Sequence, residues 1–250
     1  MDRAGNRGVM KNLLYSIRKR LVRIKNFPQL TESGGCVFLL DPKNWIDNRL
    51  LARVPFEHEQ IAFAKDLVID RSIDHIIDIG ANFGLYSVIL GKMSEIKVIH
   101  SFEPVKRNFH QLCGNIFSNR LDGKANLHNV ALGQENVEKV IFIDPTSTGV
   151  SRFELANISR DVRAFAENEV VQIRRGDDIL KISDKKLFAK IDVEGSTFSV
   201  LSGLSVFLES NCGVCQIEKD HEPNKVSELM TVHGWRQFKT IGADCFFEKS

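Results

Sequence analysis

The fold is decided by the stretch IIDIGANFG, residues 76–84, in which an apolar run ends in a glycine-rich turn. The run is short enough for a buried strand, and residues 85–93 continue it with the pattern of a helix. Gly80 permits a sharp turn of the backbone, and Gly84 leaves room for a ligand close to the chain, because neither residue carries a Cβ atom. The amide groups that open the helix then face the ligand and favour an anionic group such as a carboxylate.

Helices alternate with strands on both sides of this unit. Such alternation predicts an α/β architecture, a parallel sheet with helices on both of its faces. The other predicted helices cover residues 57–69, 106–117 and 197–208. The other predicted strands of the sheet cover residues 97–102, 126–130, 187–191 and 214–217. Two β-rich segments interrupt the alternation and two more predict a closing hairpin, at residues 137–143 and 170–173 and at residues 235–239 and 245–248.

The N-terminal residues differ in composition from the rest of the chain. Residues 3–25 contain eight basic side chains and no acidic one. Apolar residues recur among them at helical spacing, at Leu13, Leu14, Ile17, Leu21 and Ile24. The pattern predicts a basic amphipathic helix. Its apolar face either docks on an anionic membrane or a partner, or packs against the chain's own domain with the basic side chains in solvent.

Residues 36–46 alternate apolar residues with turn formers, which is typical of a β-hairpin or an extended cover. We therefore divide the chain into an N-terminal appendage, residues 1–55, made of the basic helix and this hairpin, and a main domain, residues 56–250. Residues 147–151 lie in an insertion between strands, and we expect this insertion to cover the substrate.

The composition is that of an ordinary globular protein, with 43% hydrophobic and 26% charged residues in 250. A net charge of +2 does not indicate a dedicated nucleic-acid-binding protein, and no apolar run is long enough to cross a bilayer. Five scattered cysteines do not resemble a disulfide framework and no secretory signal is visible, so we expect a cytoplasmic protein. Cys212 and Cys215 form a C-x-x-C pair without a second pair, which indicates buried thiols more than a zinc or redox site.

The side chains suited to ligand binding follow the predicted strands. In an open α/β sheet, ligands bind beyond the carboxyl ends of the strands. Asp78 lies at the end of the first strand, where a carboxylate attracts a positive amino or sulfonium group. Glu103 ends the second strand, 23 residues after Gly80, and an acid there accepts hydrogen bonds from the hydroxyls of a ribose. The glycine spacing departs from G-x-G-x-x-G, which disfavours an NAD site.

Five segments of the sequence together resemble the FkbM family of S-adenosylmethionine-dependent methyltransferases. The segments are residues 77–87, 102–104, 129–132, 190–195 and 216–218. The resemblance begins at Phe56 and implies a class I methyltransferase fold, with a Rossmann-like, mostly parallel sheet that ends in an antiparallel C-terminal hairpin. It also implies methylation of a hydroxyl, often on a sugar in a glycolipid, a polysaccharide or a natural product. One departure is Thr197, where family members commonly carry an acidic residue.

The predicted contacts of the cofactor, S-adenosylmethionine, combine the strand-end residues with residues of the matching segments. Asn129, at the end of the third strand, is expected to hydrogen-bond the edge of the adenine. A divalent metal ion is not favoured as a second cofactor. The full predicted set of cofactor contacts is Asp78, Gly80, Ala81, Asn82, Gly84, Tyr86, Glu103, Pro104, Asn129 and Ala131.

Asp192 and Glu194 are the first candidate catalytic residues. Methyl transfer from a sulfonium is an in-line displacement, so the protein mainly aligns the acceptor and removes its proton. Residues two apart in an extended chain project to the same side, so one acid can serve as the base while the other positions the acceptor hydroxyl. Two nearby carboxylates also raise the pKa of one of them, which helps a base near neutral pH. His221 is a further candidate base.

Other interpretations of Asp192 and Glu194 stay open. With Glu218 or Asp220 they form a carboxylate set that suits a hard cation, and acids at the start of a helix also serve as caps. The favoured function is O-methylation of a small molecule or glycan; an inactive cofactor-binding scaffold and a nucleic-acid methyltransferase are the alternatives. A nucleic-acid methyltransferase predicts basic and aromatic residues around the pocket. It is disfavoured because the domain shows no such cluster beyond Arg174-Arg175. We therefore expect no nucleic-acid partner and no transmembrane segment.

Overall fold

A seven-stranded sheet forms the centre of the computed structural model, which describes residues 3–154, 161–219 and 223–250, with side chains from residue 12 onward. Five adjacent strands of this sheet are parallel, and an antiparallel hairpin completes one edge. Parallel strands need long crossover connections, and here helices supply most of them. The sheet therefore sets where the loops at its carboxyl edge meet.

Four elements precede this sheet: α1 (Arg3–Ile24), β1 (Gln29–Ser33), β2 (Cys36–Leu40) and α2 (Trp45–Leu51). β1 and β2 form an antiparallel hairpin that turns at two glycines with positive φ, Gly34 and Gly35. The hairpin lies earlier than the predicted residues 36–46, whose last residues open α2 instead. Asn44 caps that helix, because its side chain accepts a hydrogen bond from the amide of Ile46 at 3.1 Å.

The first half of the sheet alternates helix and strand as the sequence predicts: α3 (His58–Asp70), β3 (His75–Ile79), α4 (Leu85–Gly91), β4 (Val98–Phe102), α5 (Lys106–Ser118) and β5 (Ala125–His128). β3 pairs in parallel with β4 and is buried along its whole length, as expected for a strand that is covered on both faces. The predicted strand–turn–helix unit around residues 76–84 is therefore confirmed.

The hairpin of β1 and β2 is fastened to α5 by side-chain amides. Asn115 accepts a hydrogen bond from the amide of Leu39 at 2.6 Å, and Asn119 accepts one from the amide of Val37 at 2.9 Å. Phe38 is buried in the same core as β3 and α4. The outer edge of β2 thus finds hydrogen-bond partners on a helix instead of on a further strand.

A separate three-stranded sheet follows β5 and contains β6 (Ala131–Gly133), β7 (Val137–Ile143) and β8 (Glu167–Arg175). β8 is central, with β7 antiparallel on one side and β6 parallel on the other. The two predicted β-rich segments are confirmed. They belong to this small sheet and do not extend the large one.

The second half of the large sheet adds α6 (Gly176–Ile179), β9 (Lys186–Ile191), α7 (Thr197–Ser202), α8 (Ser205–Ser210), β10 (Cys212–Glu218), α9 (Pro223–Val232), β11 (Arg236–Ile241) and β12 (Asp244–Lys249). The strand order is β11-β12-β10-β9-β3-β4-β5. The predicted C-terminal hairpin is confirmed, and its strand β12 pairs antiparallel with β10. The prediction of one continuous helix over residues 197–208 is wrong, because the chain breaks it at Gly203.

The two faces of the sheet carry separate apolar clusters. Side chains alternate between faces along a strand, so Ile76 of β3 packs with α3, α4 and α5, while Ile77 and Ile79 pack with α7, α8 and α9. Helices cover both faces, and the predicted fold class, a mostly parallel α/β sheet with an antiparallel C-terminal hairpin, is confirmed.

The N-terminal helix α1 touches the rest of the chain on one side. Tyr15, Lys19 and Val22 are half-buried, and the Asn48 side chain of α2 donates a hydrogen bond to the carbonyl of Lys19 at 3.2 Å. The apolar residues that the sequence assigns to one face of this helix lie exposed on its other side. Among the described residues, that face is therefore mostly uncovered, with Leu21 beside Leu51 and Ala52 at its edge. In the part of the chain that the structure describes, no helix is both long and apolar enough to span a membrane.

Gly203 should tolerate no side chain. An added Cβ would lie 1.9 Å from the carbonyl oxygen of Gly133, a backbone atom that cannot move independently. We expect Gly203→Ala to lower the free energy of unfolding by about 1–3 kcal/mol, as overpacking does. Gly123→Ala is the matched control, because nothing lies within 4 Å of its added Cβ, and a change within about 0.5 kcal/mol is expected. Equal urea midpoints for the two variants would contradict the prediction.

Candidate active site

A cavity that opens to solvent lies at the carboxyl ends of β3, β4 and β9. Most of its wall is built from the loops that follow these strands, at residues 78–86, 102–105 and 190–196. Parts of residues 46–57 and 141–153 complete the wall, so the insertion predicted to cover the substrate does line the cavity. This is the edge at which an open α/β sheet binds its ligands.

The two glycines of the first motif serve packing between chain segments. Gly80 has φ 79°, and an added Cβ would lie 1.9 Å from the carbonyl oxygen of Asp192, so glycine lets the loops after β3 and β9 meet. Gly84 has φ 89°, and an added Cβ would lie 2.5 Å from the Leu112 side chain of α5. The expectation that Gly84 makes room for a ligand is therefore wrong, because the space that it leaves is filled by Leu112.

Asp78 is buried at the end of β3 and fixes the start of α4. Its Oδ2 accepts hydrogen bonds from the backbone amide of Ser87 at 3.0 Å and from the Ser87 hydroxyl at 2.5 Å. Burial raises the pKa of Asp78 to about 6, although these hydrogen bonds favour the charged form. The residue also lines the cavity, together with Ala81, Asn82 and Tyr86 from the predicted set.

Glu103 lies at the end of β4 and is only 4% exposed. Its Oε2 accepts a hydrogen bond from the amide of Asn82, and its Oε1 accepts one from the amide of Val105, both at 2.8 Å. Burial raises the pKa of Glu103 to about 7 against the effect of these bonds. Oε1 also accepts a hydrogen bond from the Asn108 side chain at 3.4 Å, whereas Oε2 keeps a second lone pair that can accept a hydrogen bond from a ligand in the cavity.

The side-chain amide nitrogen of Asn129 binds the backbone around Glu103 and does not face the cavity. That nitrogen donates to the carbonyls of Glu103 and Pro104, both at 2.9 Å. The next residues, Val130 and Ala131, do line the cavity, as does Pro104. This end of the cavity is apolar, with walls from Val105, Val130, Ile141 and Phe153.

The other end of the cavity is organised by a buried lysine that the motif analysis assigned no role. Lys190 ends β9 with its side chain only 4% exposed, and its Nζ lies 3.1 Å from Oδ2 of Asp192 and 3.3 Å from Oδ1 of Asp244. Burial by itself lowers the pKa of Lys190, but the charges of Asp192 and Asp244 outweigh it and raise that pKa above its ordinary value. The ammonium of Lys190 therefore stays charged and is the positive charge between Asp192 and Asp244.

Asp192 and Glu218 share a proton. Burial raises the pKa of Glu218, and the neighbouring Asp192 carboxylate raises it further, so Glu218 is protonated near neutral pH and bonds to Asp192. Burial opposes the ionisation of Asp192, but Lys190 and the Glu218 hydrogen bond leave its pKa below the ordinary value. The predicted pair of close carboxylates thus exists, with Glu218 and not Glu194 as the partner of Asp192.

Glu194 lines the cavity beside Asp192 but bonds to a different group. Its Oε2 lies 2.6 Å from Arg152 of the covering insertion. α7 begins after Ser196, whose side chain makes no capping hydrogen bond, and both acidic side chains have basic partners, Lys190 for Asp192 and Arg152 for Glu194. His221 and Asp220 lie outside the described residues. Within residues 3–154, 161–219 and 223–250, no three His, Cys, Asp or Glu side chains are grouped as metal ligands.

Glu57 and Gln216 are functional candidates that the sequence analysis missed. Glu57 precedes α3 with φ 47° and lines the cavity, and its carboxylate is hydrogen-bonded to the hydroxyl of Tyr86. Burial raises the pKa of Glu57 to about 7. Gln216 donates to Tyr86 Oη and to Asp244 Oδ1, both at 2.9 Å, while its own Oε1 is buried without a partner. No motif marks Glu57, because its partners come from distant parts of the chain.

Comparison with known proteins agrees with this geometry. Residues 78–241 match the methyltransferase FkbM domain, which is more than half of the chain. The chain belongs to the FkbM methyltransferase domain family. The match begins at Asp78 of the first motif and includes Glu103, Asp192 and Glu218.

Individual relatives of this FkbM domain are distant. "Methyltransferase 1" of Beauveria bassiana (strain ARSEF 2860) is 23% identical over 163 residues, which cover 56% of this chain and 65% of that protein. The crystal structure of the methyltransferase FkbM from Methylobacillus flagellatus KT superposes with a TM-score of 0.50 at 14% identity, over 71% of this chain and 44% of that one. M. jannaschii TYW2 in complex with AdoMet gives a TM-score of 0.43 at 14% identity, over 90% and 88% of the two chains. The chain thus covers less than two thirds of the length of the first two of these proteins.

Glu218 should make the stability of this FkbM domain depend on pH. The native protein holds a proton on Glu218 that the unfolded chain releases, so the free energy of unfolding falls as pH rises from about 5 to about 9. Glu218→Gln keeps a hydrogen-bond donor beside Asp192 and should flatten this slope. Urea unfolding at a series of pH values measures it, with Glu228→Gln on the exposed side of α9 as the control. A Glu218→Gln slope equal to that of the wild type would contradict the shared proton.

Proposed function

We propose that this chain transfers the methyl group of S-adenosylmethionine to a hydroxyl of a small molecule or glycan. The observation that carries the proposal is a single cavity with two chemically different ends. One end is apolar and holds the buried carboxylate Glu103, and the other holds Lys190 among acidic side chains. Family membership supports methyl transfer as the reaction.

The apolar end fits a nucleoside. Glu103 lies at the end of the second strand, where an acid accepts hydrogen bonds from the hydroxyls of a ribose, and its Oε2 keeps a lone pair for this contact. Val105, Val130, Ile141 and Phe153 offer the apolar surface that a purine ring needs. These residues, with Asn129 fixing the loop behind them, would hold the adenosine part of the cofactor.

The turn after β3 lies between the two ends and would hold the methionine part of the cofactor. Ala81 and Asn82 line the cavity there, and Asp78 supplies a carboxylate for a positive amino group. When bound, S-adenosylmethionine supplies an activated methyl group on a sulfonium. The protein therefore has to position the acceptor oxygen and remove its proton.

We assign the removal of the proton to Glu57. Asp192 is held in its charged form by Lys190 and Glu218, which makes it a weak base, and Glu194 is paired with Arg152. Glu57 lines the same cavity, and burial brings its pKa close to neutral pH, where a general base works best. Asp192 and Glu194 then position the acceptor through hydrogen bonds to its hydroxyl groups.

The same acidic side chains support a neutral acceptor over a nucleic acid. Glu57, Asp192 and Glu194 all line the acceptor end of the cavity. Lys190 and Arg152 already pair with two of these acids, which leaves no basic side chain of these pairs for a phosphate, whereas hydroxyl groups are good donors to carboxylates. A sugar or another polyhydroxylated molecule matches this end best.

The cofactor assignment predicts tight binding that depends on Glu103. Isothermal titration calorimetry with S-adenosylhomocysteine should give micromolar affinity for the wild type and about 10–100-fold weaker binding for Glu103→Gln, the size of a lost charged hydrogen bond. Glu169→Gln is the matched control, because Glu169 also accepts a backbone hydrogen bond at 2.8 Å but lies outside the cavity. Preference for NAD, or no effect of Glu103→Gln in a folded protein, would refute the assignment.

The base assignment predicts a specific pH profile. With a panel of glycosides as acceptors, wild-type kcat/KM should rise with pH through about 7, because Glu57 accepts a proton only when it is ionised. Glu57→Gln should lower kcat about 10²–10⁴-fold and abolish this rise. Glu59→Gln, two residues away and exposed, is the control and should behave as the wild type. If Glu57→Gln keeps full activity and Asp192→Asn or Glu194→Gln loses it, the general base is one of those two acids instead.

A further inference from the structure

An exposed apolar stripe runs along α1. Its side chains are between 49% and 76% exposed. At 100° per residue they fall within one side of the helix, and none is covered by another described residue to the extent expected for a core position. The stripe consists of Leu13, Leu14, Ile17, Leu21 and Ile24.

The orientation of this stripe is fixed by contacts on the opposite side of α1. Tyr15, Lys19 and Val22 are half-buried, and the Asn48 side chain of α2 bonds to the Lys19 carbonyl at 3.2 Å; Leu21, at the edge of the stripe, lies beside Leu51. Helical geometry puts these three residues roughly 180° around the helix from the stripe. The domain therefore presents the apolar stripe outward, away from its own core.

Basic residues flank the stripe on both sides. Arg20 and Arg23 follow one side of it and Arg18 and Lys25 the other, all four exposed. The sequence of residues 3–25 holds eight basic residues and no acidic one. An apolar stripe between two basic rows is the pattern of a helix that lies in the plane of a membrane surface.

We propose that α1 docks in the plane of an anionic lipid bilayer through this stripe. The apolar side chains would enter the boundary between headgroups and acyl chains, and the flanking Arg and Lys side chains would bind lipid phosphates. A second copy of the chain fits the stripe less well, because the basic residues that flank one stripe would face those that flank the other. A nucleic acid would bind the basic rows but leave the apolar stripe in water.

The segment after α1 extends the same apolar surface. Phe27 and Leu30 are also exposed, at 63% and 66%. On the other side of α1, the helix α2 carries Ile46, which lines the cavity. Docking of α1 would therefore hold a helix of the cavity wall close to the bilayer.

Vesicle co-sedimentation with the full chain tests this proposal. The vesicles are phosphatidylcholine alone, or phosphatidylcholine with about 30% phosphatidylglycerol. We expect at least about tenfold tighter binding to the anionic vesicles, and weaker binding in about 0.5 M salt. The double variant Ile17→Gln, Leu21→Gln should lose at least about tenfold in affinity. The control Val206→Gln, Val232→Gln removes two exposed valines elsewhere, 63% and 81% exposed, and should bind as the wild type.

Three results would overturn the proposal. The first is equal affinity for neutral and anionic vesicles, or equal loss of binding in the stripe variant and the control. The second is a dimer in the absence of lipid that the stripe variant converts to monomer, which would assign the stripe to a second copy. The third is binding of RNA through the basic rows without any binding of vesicles. Circular dichroism of each variant confirms that the fold is intact.

Discussion

The buried ammonium of Lys190 is the constraint on which the rest of the site depends. A charge of this kind is costly to remove from water unless opposite charges and hydrogen bonds surround it. Here Asp192 and Asp244 provide those charges, and they come from the loop after β9 and from β12. Because Asp192 closely follows Lys190 and Asp244 belongs to β12, the pairing fixes how the end of β9 meets the C-terminal hairpin.

The protonation states around the cavity follow from this lysine. Its charge keeps Asp192 ionised, and the ionised Asp192 in turn keeps Glu218 protonated. Lys190 also lowers the pKa of Glu57, but burial outweighs this effect and leaves that pKa about 7. Three carboxyl groups of the same chemical type therefore differ in charge within one site. Acids whose environments set their pKa values apart in this way are typical of functional sites.

The sequence predicts those parts of the site that depend on neighbouring residues. Asp78, Gly80 and Glu103 follow buried strands at recognisable spacing, and the structure brings them to one cavity. Glu57 and Gln216 act through partners far away in the sequence, which no local pattern reveals. The same holds for the fold, because most strands follow from local apolar runs. The break at Gly203 depends instead on a carbonyl of β6, which is distant in the sequence. The sequence analysis did not predict the helix α9. The direction of the α1 stripe was also open, because a single amphipathic helix does not specify what covers it.

The position of Asp244 has a consequence for the synthesis of the chain. The residue lies 54 positions after Lys190, yet its carboxylate bonds to the lysine from the strand β12. Chains emerge from the ribosome N-terminus first, so β9 and its lysine are released well before their second counter-charge. A nascent chain that stops short of residue 244 has to leave Lys190 in water and β10 without its antiparallel neighbour. The cavity can therefore reach its final electrostatic state only after β12 has been made, later than the strands that form most of its wall.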